Sequence, residues 1–467
     1  MAEPQPRLAY QAGGPLMARP LVGPQASCAL HGAILTAAAI PGVIPLVHST
    51  PGCALRAGLS AGGGPFGAPP GLPPVASTNL AEKHVIFGGT SRLREEIKNT
   101  LAVVEGGLVA VLTGCPTEMI GDDVAAMVKE ATSQGEAVID IQTAGFRGPV
   151  RAGYDLLLTA LANRLEPRAD PADAPRINIL GIVPGVDPHW LSGIEELSRL
   201  LAGVGLRANP VFGPSGGLGA LHALGRAEAS LVLSPWGLGP AEALRQRFGI
   251  PVVGTEGLPV GAEAAEALLR RLFEALGRPL DGAAEAFLAA ERRHEDYLLD
   301  QILGRLVGAG RQRVAVIGGS LAAPGLARFL TTVLGWKTVA LVLTDEPPAS
   351  LRPALAAAGA IFAPDATSRS EAVRTSGASL LIGGPEDRAL AGRLGIAFVD
   401  DGSTPGLGAL TGGHAGRAGA ARLLAALVTG LEAADAPALR PCPAEEEKAS
   451  SLGLPALAAD RQVQILA

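Results

Sequence analysis

The sequence predicts an α/β protein with three Rossmann-like domains, each containing a parallel sheet flanked by helices. Short runs of aliphatic and β-branched residues recur along the chain, and their continuous apolar character is typical of parallel strands that are buried on both faces. A Gly- or Pro-containing turn and then a helical pattern follow each run, as in repeated β–α units. The clearest runs lie at 108–112, 177–183, 231–233, 314–317, 339–343 and 380–382.

The length of the chain and two breaks in this pattern indicate where the domains divide. A chain of 467 residues is too long for one ordinary hydrophobic core. The segment 166–175 is rich in Pro, Ala and charged residues, as a linker would be, and 292–307 has the pattern of a charged amphipathic helix. We therefore predict domains over 1–168, 174–300 and 308–435, followed by a peripheral tail over 436–467.

Composition and charge exclude several classes of function. Hydrophobic residues make up 48% of the chain and charged residues 18%, which excludes a disordered protein. The net charge of −6 leaves no basic surplus to neutralise phosphates, so nucleic acid is not expected as a partner. No secretion signal opens the chain, and the apolar stretch 33–47 is too short to cross a bilayer. We expect a soluble cytoplasmic protein that has no membrane partner.

Three cysteines lie in or beside Gly- or Pro-containing turns. Cys28 is in QASCALHG, Cys53 closes PLVHSTPGC, and Cys115 follows a strand in LTGCPTEMIGDD. A backbone in such a turn can approach a cluster and donate N–H groups to it, and thiolates are the ligands that iron–sulfur clusters require. On spacing alone, however, three unrelated core cysteines are the simpler interpretation, because the long gaps match no zinc or ferredoxin pattern.

Three motifs around these cysteines change that interpretation. A His-x-x-x-Gly-Cys turn ends at Cys53, and a Ser-Thr-x-x-x-Glu segment begins at Ser77 and continues into Phe-Gly-Gly at 87–89. The third motif, Cys-x-x-Glu-x-Ile-Gly-Asp-Asp, begins at Cys115. In their order and spacing, the three motifs resemble those of the nitrogenase component 1 family over residues 1–130.

The resemblance implies an iron–sulfur cluster site. Members of this family hold an electron-relay cluster between two homologous subunits, so Cys28 and Cys115 are expected as terminal ligands and Cys53 as a bridging ligand. The implied cluster is of the 8Fe-7S P-cluster type, with a 4Fe-4S cluster as the alternative. Three cysteines on one chain are short of the usual four, which fits a cluster that is shared with a partner subunit.

The same resemblance favours the β-type subunit. The α-type chain uses a further cysteine in its central region and a late histidine to hold its substrate-reducing cofactor, whereas this sequence has no cysteine between Cys115 and Cys442. His414 therefore lacks a matching cysteine, and Glu118 after Cys-Pro-Thr is β-like. The family implies an α-type partner in an α2β2 complex and an ATP-dependent iron–sulfur reductase that delivers electrons. This chain would hold the relay cluster and no catalytic residue.

Departures from the family pattern leave the substrate open. Residues 57–74 are rich in Gly and Pro where the molybdenum enzyme's β chain has Arg, His and aromatic residues, and aromatic residues are only 3% of the chain. These departures favour a divergent nitrogenase-like reductase, such as a methylthio-alkane reductase or an alternative-metal nitrogenase. A cofactor-assembly scaffold and a subunit of a dark (bacterio)chlorophyll-precursor reductase are the alternatives, although scaffolds usually keep fewer of the three cysteines. A metal-free α/β sensor would require the cysteine motifs to be coincidental.

Other residues near the motifs have structural interpretations. We expect Ser77, Glu82 and the Gly88-Gly89 turn to support the domain around the cluster. We expect three acidic residues to stabilise helix N-termini by about 0.3–1 kcal/mol each: Glu118, Asp122 and Asp123. His31 is expected on a helix surface, in preference to a place beside the cluster, whereas His48 is either a cluster neighbour or a satisfied loop histidine. Cys442 is expected to be an exposed thiol in the tail.

Overall fold

The computed structural model describes residues 27–61, 75–166, 176–308, 310–402 and 412–435. These residues form three parallel β-sheets of four, four and five strands, with helices packed against them. Each sheet takes its strands from one of the three predicted domains. The predicted α/β class with helix-flanked parallel sheets is therefore confirmed, while the domain limits stay a prediction. The predicted linker is described only at Glu166, and the predicted tail 436–467 lies outside the described residues.

The first sheet has four strands, and its two central strands end side by side. The elements are α1 (Ala29–Ala38), β1 (Val43–His48), α2 (Pro51–Ala61), β2 (Ala76–Ser77), α3 (Glu82–Phe87), α4 (Thr90–Val103), β3 (Leu108–Thr113), α5 (Cys115–Ile120), α6 (Val124–Ser133), β4 (Val138–Ile141) and α7 (Val150–Arg164). The strand order is β2-β1-β3-β4. Because His48 pairs with Thr113, the loops that leave β1 and β3 begin next to each other.

The second sheet also has four strands, in the order β6-β5-β7-β8. Its elements are β5 (Arg176–Leu180), α8 (Trp190–Gly203), β6 (Arg207–Asn209), α9 (Leu218–Ala223), β7 (Ala229–Val232), α10 (Leu238–Phe248), β8 (Val252–Gly254) and α11 (Gly261–Ala275). A long helix, α12 (Gly282–Gly308), then leads towards the third sheet. It contains the helix that was predicted over 292–307 and is longer, because no proline interrupts 282–308.

The third sheet has five strands, in the order β11-β10-β9-β12-β13. Its elements are β9 (Arg313–Gly318), α13 (Ala323–Thr332), β10 (Lys337–Leu343), α14 (Arg352–Ala357), β11 (Ala360–Phe362), α15 (Ala366–Ser376), β12 (Leu380–Gly383), α16 (Arg388–Leu394), β13 (Ala397–Asp400) and α17 (Gly416–Asp435). Every predicted apolar run overlaps a strand. The strand in the run 177–183 ends before the run does, at Leu180, because Gly181 turns the chain with a φ of 94°.

One hydrophobic core joins the three sheets. Buried residues from all three predicted domains form a single cluster, and two smaller clusters cover the other faces of the first and third sheets. This burial on both faces is the reason that the strands are continuously apolar. No helix within the described ranges is long and apolar enough to cross a bilayer.

A buried charge network also connects the domains. Arg151 on α7 donates from Nη2 to Asp187 Oδ1 at 2.7 Å, which links the first domain to the loop after β5. Asp345, after β10, is close enough for its charge to act on both residues. Asp345 in turn accepts hydrogen bonds from Ser320 and, at 2.8 Å, from Trp236 Nε1. Side chains from all three predicted domains therefore meet in one polar cluster.

Two glycines let α1 and α7 pack with their backbones in contact. A Cβ on Gly32 would lie 1.6 Å from the carbonyl oxygen of Val150, and one on Gly153 would lie 2.0 Å from that of Ala29. Any larger residue would push these helices apart. Because Cys28 directly precedes α1, this close packing also fixes the position of Cys28.

Candidate metal centre

The three predicted cysteine ligands lie at the carboxyl edge of the first sheet, where ligands of parallel α/β folds bind. Cys53 is in the first turn of α2, shortly after β1 ends. Cys115 begins α5 after β3 and the single residue Gly114. Cys28 precedes α1, and its backbone pairs with Pro149, which follows β4. The parallel strand order therefore gathers cysteines that are far apart in the sequence.

Cys28 and Cys115 meet at Gly145. This glycine begins a 3-10 turn, Gly145–Arg147, and its N–H donates to Cys115 Sγ at 3.1 Å. A Cβ on Gly145 would lie 3.1 Å from Cys115 Sγ and 3.3 Å from Cys28 Sγ. The two sulfur atoms are therefore no farther apart than the sum of those distances, and the backbone between them carries no side chain. Nothing in the sequence distinguishes Gly145, because a glycine after a strand is too common to indicate a site.

Cys53 has its own hydrogen-bond donor. The hydroxyl of Ser49 donates to Cys53 Sγ at 3.4 Å, and Ser49 is fully buried. A Cβ on Gly114 would lie only 2.1 Å from Ser49 Oγ, so the loops that carry Cys53 and Cys115 touch through this serine. The N–H of Gly114 also donates to the carbonyl oxygen of His48 at 3.0 Å, which holds the two loops together.

His31 lies beside Cys28, and the prediction that it is a helix-surface residue was wrong. Its side chain is buried, and its Nδ1 is 3.2 Å from Cys28 Sγ. The helix that carries it is buried at every position from Ala29 to Ala37, so no face of its first turn is exposed to solvent. Burial is the main cause that lowers the pKa of His31, the charge of Arg56 lowers it further, and a hydrogen bond with the backbone of Cys53 opposes both.

His48 is a satisfied histidine of the strand end. Its Nε2 is 3.0 Å from Asp122 Oδ2, and its Nδ1 is 3.2 Å from Thr78 Oγ1. Asp122 also accepts the N–H of Gly89 at 2.8 Å. Burial lowers the pKa of His48, although Asp122 acts in the opposite direction. This network ties the Gly88-Gly89 turn and the Ile-Gly-Asp-Asp motif to β1, which agrees with the supporting role expected of that turn.

The acidic residues of the third motif have different roles. Asp123 caps α6 by accepting the N–H of Ala126, as expected of a residue at a helix N-terminus. Glu118 instead accepts hydrogen bonds from the Thr113 hydroxyl at 2.6 Å, from the N–H of Ala144 at 3.0 Å and from Arg147 at 2.7 Å. It therefore fastens the end of β3 to the turn that contains Gly145.

Exposed apolar side chains surround the cysteines. Among the described residues, ten large hydrophobic side chains are exposed, and six of them lie on the segments around the cysteines. We call these six the apolar rim: Leu55, Val85, Ile86, Phe87, Met119 and Phe146. They belong to α2, to α5 and the neighbouring α3, and to the Gly145 turn. Apolar patches of this kind are typical of protein–protein contact sites.

The residues at this edge fit an iron–sulfur cluster. Each of the three sulfur atoms has a group within hydrogen-bonding distance that can donate to a thiolate, namely His31, Ser49 or the Gly145 N–H. Such bonds compensate thiolate charge and tune iron–sulfur sites. Within the described part of the chain, no three His, Cys, Asp or Glu side chains converge closely enough to hold one metal ion. In a cluster, by contrast, different iron atoms take different thiolates.

His414 lies in another part of the molecule. Its Nε2 is 2.7 Å from the carbonyl oxygen of Asp401, and its ring is edge-on to His189 with the centroids 5.1 Å apart. Burial, with the charges of Arg422 and His189, lowers the pKa of His414 to about 3. It lines a cavity of about 60 Å³, and no cysteine is among the described residues that line this cavity. Cys442 is outside the described residues.

Comparison with known proteins gives a family match over most of the chain. The model of the Nitrogenase component 1 type Oxidoreductase family matches residues 28–432. The nitrogenase iron-molybdenum cofactor biosynthesis protein NifE of Clostridium pasteurianum is 27% identical over 395 residues, which cover 80% of this chain and 82% of that protein.

Two further relatives are β chains. The nitrogenase molybdenum-iron protein beta chain of Frankia alni is 29% identical over 356 residues, which are 69% of this chain and 64% of that one. The nitrogenase vanadium-iron protein beta chain of Trichormus variabilis is 26% identical over 371 residues, which are 72% of this chain and 74% of that one. These similarities agree with the predicted β-type character.

The fold is also that of a solved nitrogenase protein. The structure described as nitrogenase Cp1 at pH 6.5 superposes with a TM-score of 0.70 and covers 92% of this chain and 95% of its own, at 19% sequence identity. The predicted fold of this family is thereby confirmed. Since the family model spans residues 28–432, from the first predicted ligand almost to the end of α17, the chain belongs to the nitrogenase component 1 family of oxidoreductases.

Proposed function

We propose that this chain is the β-type subunit of a nitrogenase-like reductase and holds, with an α-type partner, a shared iron–sulfur relay cluster. Its ligands from this chain are Cys28, Cys53 and Cys115. The observation that carries the proposal is their common position at the edge of the first sheet, where each sulfur lies within hydrogen-bonding distance of a separate donor group. When bound, the cluster passes electrons from an ATP-dependent reductase towards a cofactor in the partner.

The residues of this chain position and insulate the cluster. The N–H of Gly145 and the hydroxyl of Ser49 donate to thiolates and so stabilise their negative charge. Glu118 holds the Gly145 turn against β3. A cluster that relays electrons needs a rigid frame of this kind, because the cysteines that bind it keep their geometry only where surrounding residues hold them.

The apolar rim supports a cluster that is shared between subunits. Phe87 and Met119 are 86% and 77% exposed beside the cysteine loops. Exposing large apolar side chains to water costs free energy, and a partner that buries them removes this cost. An α-type subunit that covers the rim would also supply the ligands beyond the three of this chain. We infer an α2β2 complex of the family type.

A cofactor-assembly scaffold is the second candidate function. It is favoured by the similarity to a cofactor biosynthesis protein, NifE, of which the chain covers 82%. The two candidates differ in what is bound at this edge. A relay subunit keeps all three thiolates occupied by a large permanent cluster, whereas a scaffold or a pigment-precursor reductase subunit would hold a smaller one.

Iron analysis of the anaerobically purified complex tests the proposal. The chain is co-expressed with its α-type partner, and iron and acid-labile sulfide are measured per αβ unit. About eight iron atoms per αβ unit are expected at the shared site of the relay, in addition to any iron of the partner's cofactor. About four would favour the scaffold or pigment-reductase alternative, and none would contradict the cluster altogether. Cys53→Ala should lose or alter the cluster, while the matched control Cys442→Ala should keep wild-type iron content and redox spectra.

A further inference from the structure

We propose that His31 is a positioning residue for the cluster and donates an Nδ1–H hydrogen bond to the Cys28 thiolate. The inference rests on the proposed function, since it takes Cys28 as a cluster ligand. It assigns to this histidine a role in setting the reduction potential of the cluster.

The geometry comes from the first turn of α1. Cys28 is the N-cap residue of this helix and His31 is at position N3, from which a side chain reaches back to the N-cap. The Sγ and Nδ1 atoms are 3.2 Å apart, within the range of a hydrogen bond that involves sulfur. Gly32, the next residue, packs against the carbonyl of Val150, so α1 cannot rotate to carry the imidazole away from the sulfur.

The protonation of the two atoms follows from metal binding. A cysteine that binds iron is a thiolate and has no proton to donate. If Nδ1 were also unprotonated, a nitrogen lone pair would face a negative sulfur at 3.2 Å, which is repulsive. The contact is favourable only when Nδ1 carries the hydrogen, so iron binding at Cys28 selects that tautomer. A neutral imidazole is sufficient for this donation.

The burial of His31 increases the effect of this bond. The side chain is only 5% exposed, and a hydrogen bond in a low-dielectric interior acts more strongly on charge than one in water. Hydrogen bonds to cluster sulfur stabilise the more negative, reduced state and therefore raise the reduction potential.

Three substitutions separate this role from simple packing. In His31→Asn the amide nitrogen occupies the position of the imidazole Nδ1, whereas in His31→Gln the amide nitrogen lies one bond farther from the backbone. His31→Leu keeps a side chain of similar volume that has no hydrogen-bond donor. Each full-length variant is purified anaerobically with its partner. Iron content, the electron paramagnetic resonance spectrum and the midpoint potential of the cluster are then measured.

We expect His31→Leu and His31→Gln to shift the midpoint potential to more negative values, and His31→Asn to return it towards that of the wild type. Retention of iron by His31→Asn alone, with loss from the other two variants, would support the same role. A wild-type midpoint potential in an iron-loaded His31→Leu complex would overturn the inference. Equal shifts of the midpoint potential in all three variants, or equal loss of iron from all three, would overturn it too. A wild-type complex without iron would instead overturn the proposed function.

Discussion

The backbone N–H of Gly145 donates to Cys115 Sγ at 3.1 Å, and the same glycine faces Cys28 Sγ. This relationship joins two candidate ligands through a residue that has no side chain. It arises because the turn after β4 folds over the start of α5, where Glu118 and Arg147 form an ion pair at 2.7 Å. This edge of the first sheet is thus organised by backbone contacts as much as by the cysteines.

Replacing Gly145 should therefore damage the site more than the fold. In Gly145→Ala the new methyl group would lie 3.1 Å from Cys115 Sγ and 3.3 Å from Cys28 Sγ, and overpacking of this kind costs about 1–3 kcal/mol. We expect iron per αβ unit to fall, and to fall further in Gly145→Val. Gly219→Ala is the matched control, since nothing lies within 4 Å of a Cβ at Gly219. Equal iron content in Gly145→Val and wild type would contradict this prediction.

Glu118 is expected to stabilise the same edge. In Glu118→Ala, the Thr113 hydroxyl can still donate to the carbonyl oxygen of Ile141, whereas the Ala144 N–H loses its buried acceptor. An unsatisfied buried group of this kind costs roughly 1–3 kcal/mol. Urea unfolding followed by circular dichroism should show a fall of about that size in the free energy of unfolding. Glu95→Ala removes a carboxylate that is 63% exposed and should change this free energy by less than about 0.5 kcal/mol. Equal effects of the two substitutions would argue against the fastening role.

Buried histidines should make the protein less stable in acid. The pKa of His414 is lowered to about 3, whereas a histidine in an unfolded chain has a pKa of about 6.5. Between these values the unfolded chain binds a proton that the folded chain does not, so the free energy of unfolding falls as the pH falls through this window. Burial lowers the pKa values of His31 and His48 too, and they act in the same direction.

The contribution of His414 can be measured from the slope of stability against pH. His414→Leu should flatten the decrease in the free energy of unfolding between about pH 6.5 and pH 4, whatever its effect at neutral pH. His294→Leu, on the exposed side of α12, serves as the control and should keep the wild-type slope. A His414→Leu protein with that same slope would show that another group causes the acid sensitivity.

The sequence predicted the fold class and the candidate ligands because both depend on local patterns. Continuous apolar runs mark buried parallel strands, and Cys53 and Cys115 stand in motifs of six to nine adjacent residues. Their meeting also follows from the sequence in principle, since neighbouring parallel strands end at the same edge. The family comparison then confirmed the family that these motifs indicated.

Contacts between distant segments could not be predicted in the same way. Asp122 was expected to act on a helix terminus, but its partner His48 is 74 residues away in the sequence. Gly145 owes its importance to sulfur atoms on two other loops. His31 is a different case, because α1 is apolar on all sides apart from this residue and Thr36. A helix of that kind is buried, so the pattern already argued against a surface histidine.

The apolar rim should be necessary for assembly with the α-type partner. Phe87 and Ile86 are 86% and 73% exposed, and burying an unpaired carboxylate in their place costs about 3–5 kcal/mol. Phe87→Asp or Ile86→Asp should therefore weaken association about a hundredfold or more, so that the chain elutes apart from its partner in size-exclusion chromatography and without iron. Val103→Asp is the matched control, because Val103 is 81% exposed at the end of α4, outside the rim. Co-elution of Phe87→Asp with a full complement of iron would place the partner on another surface.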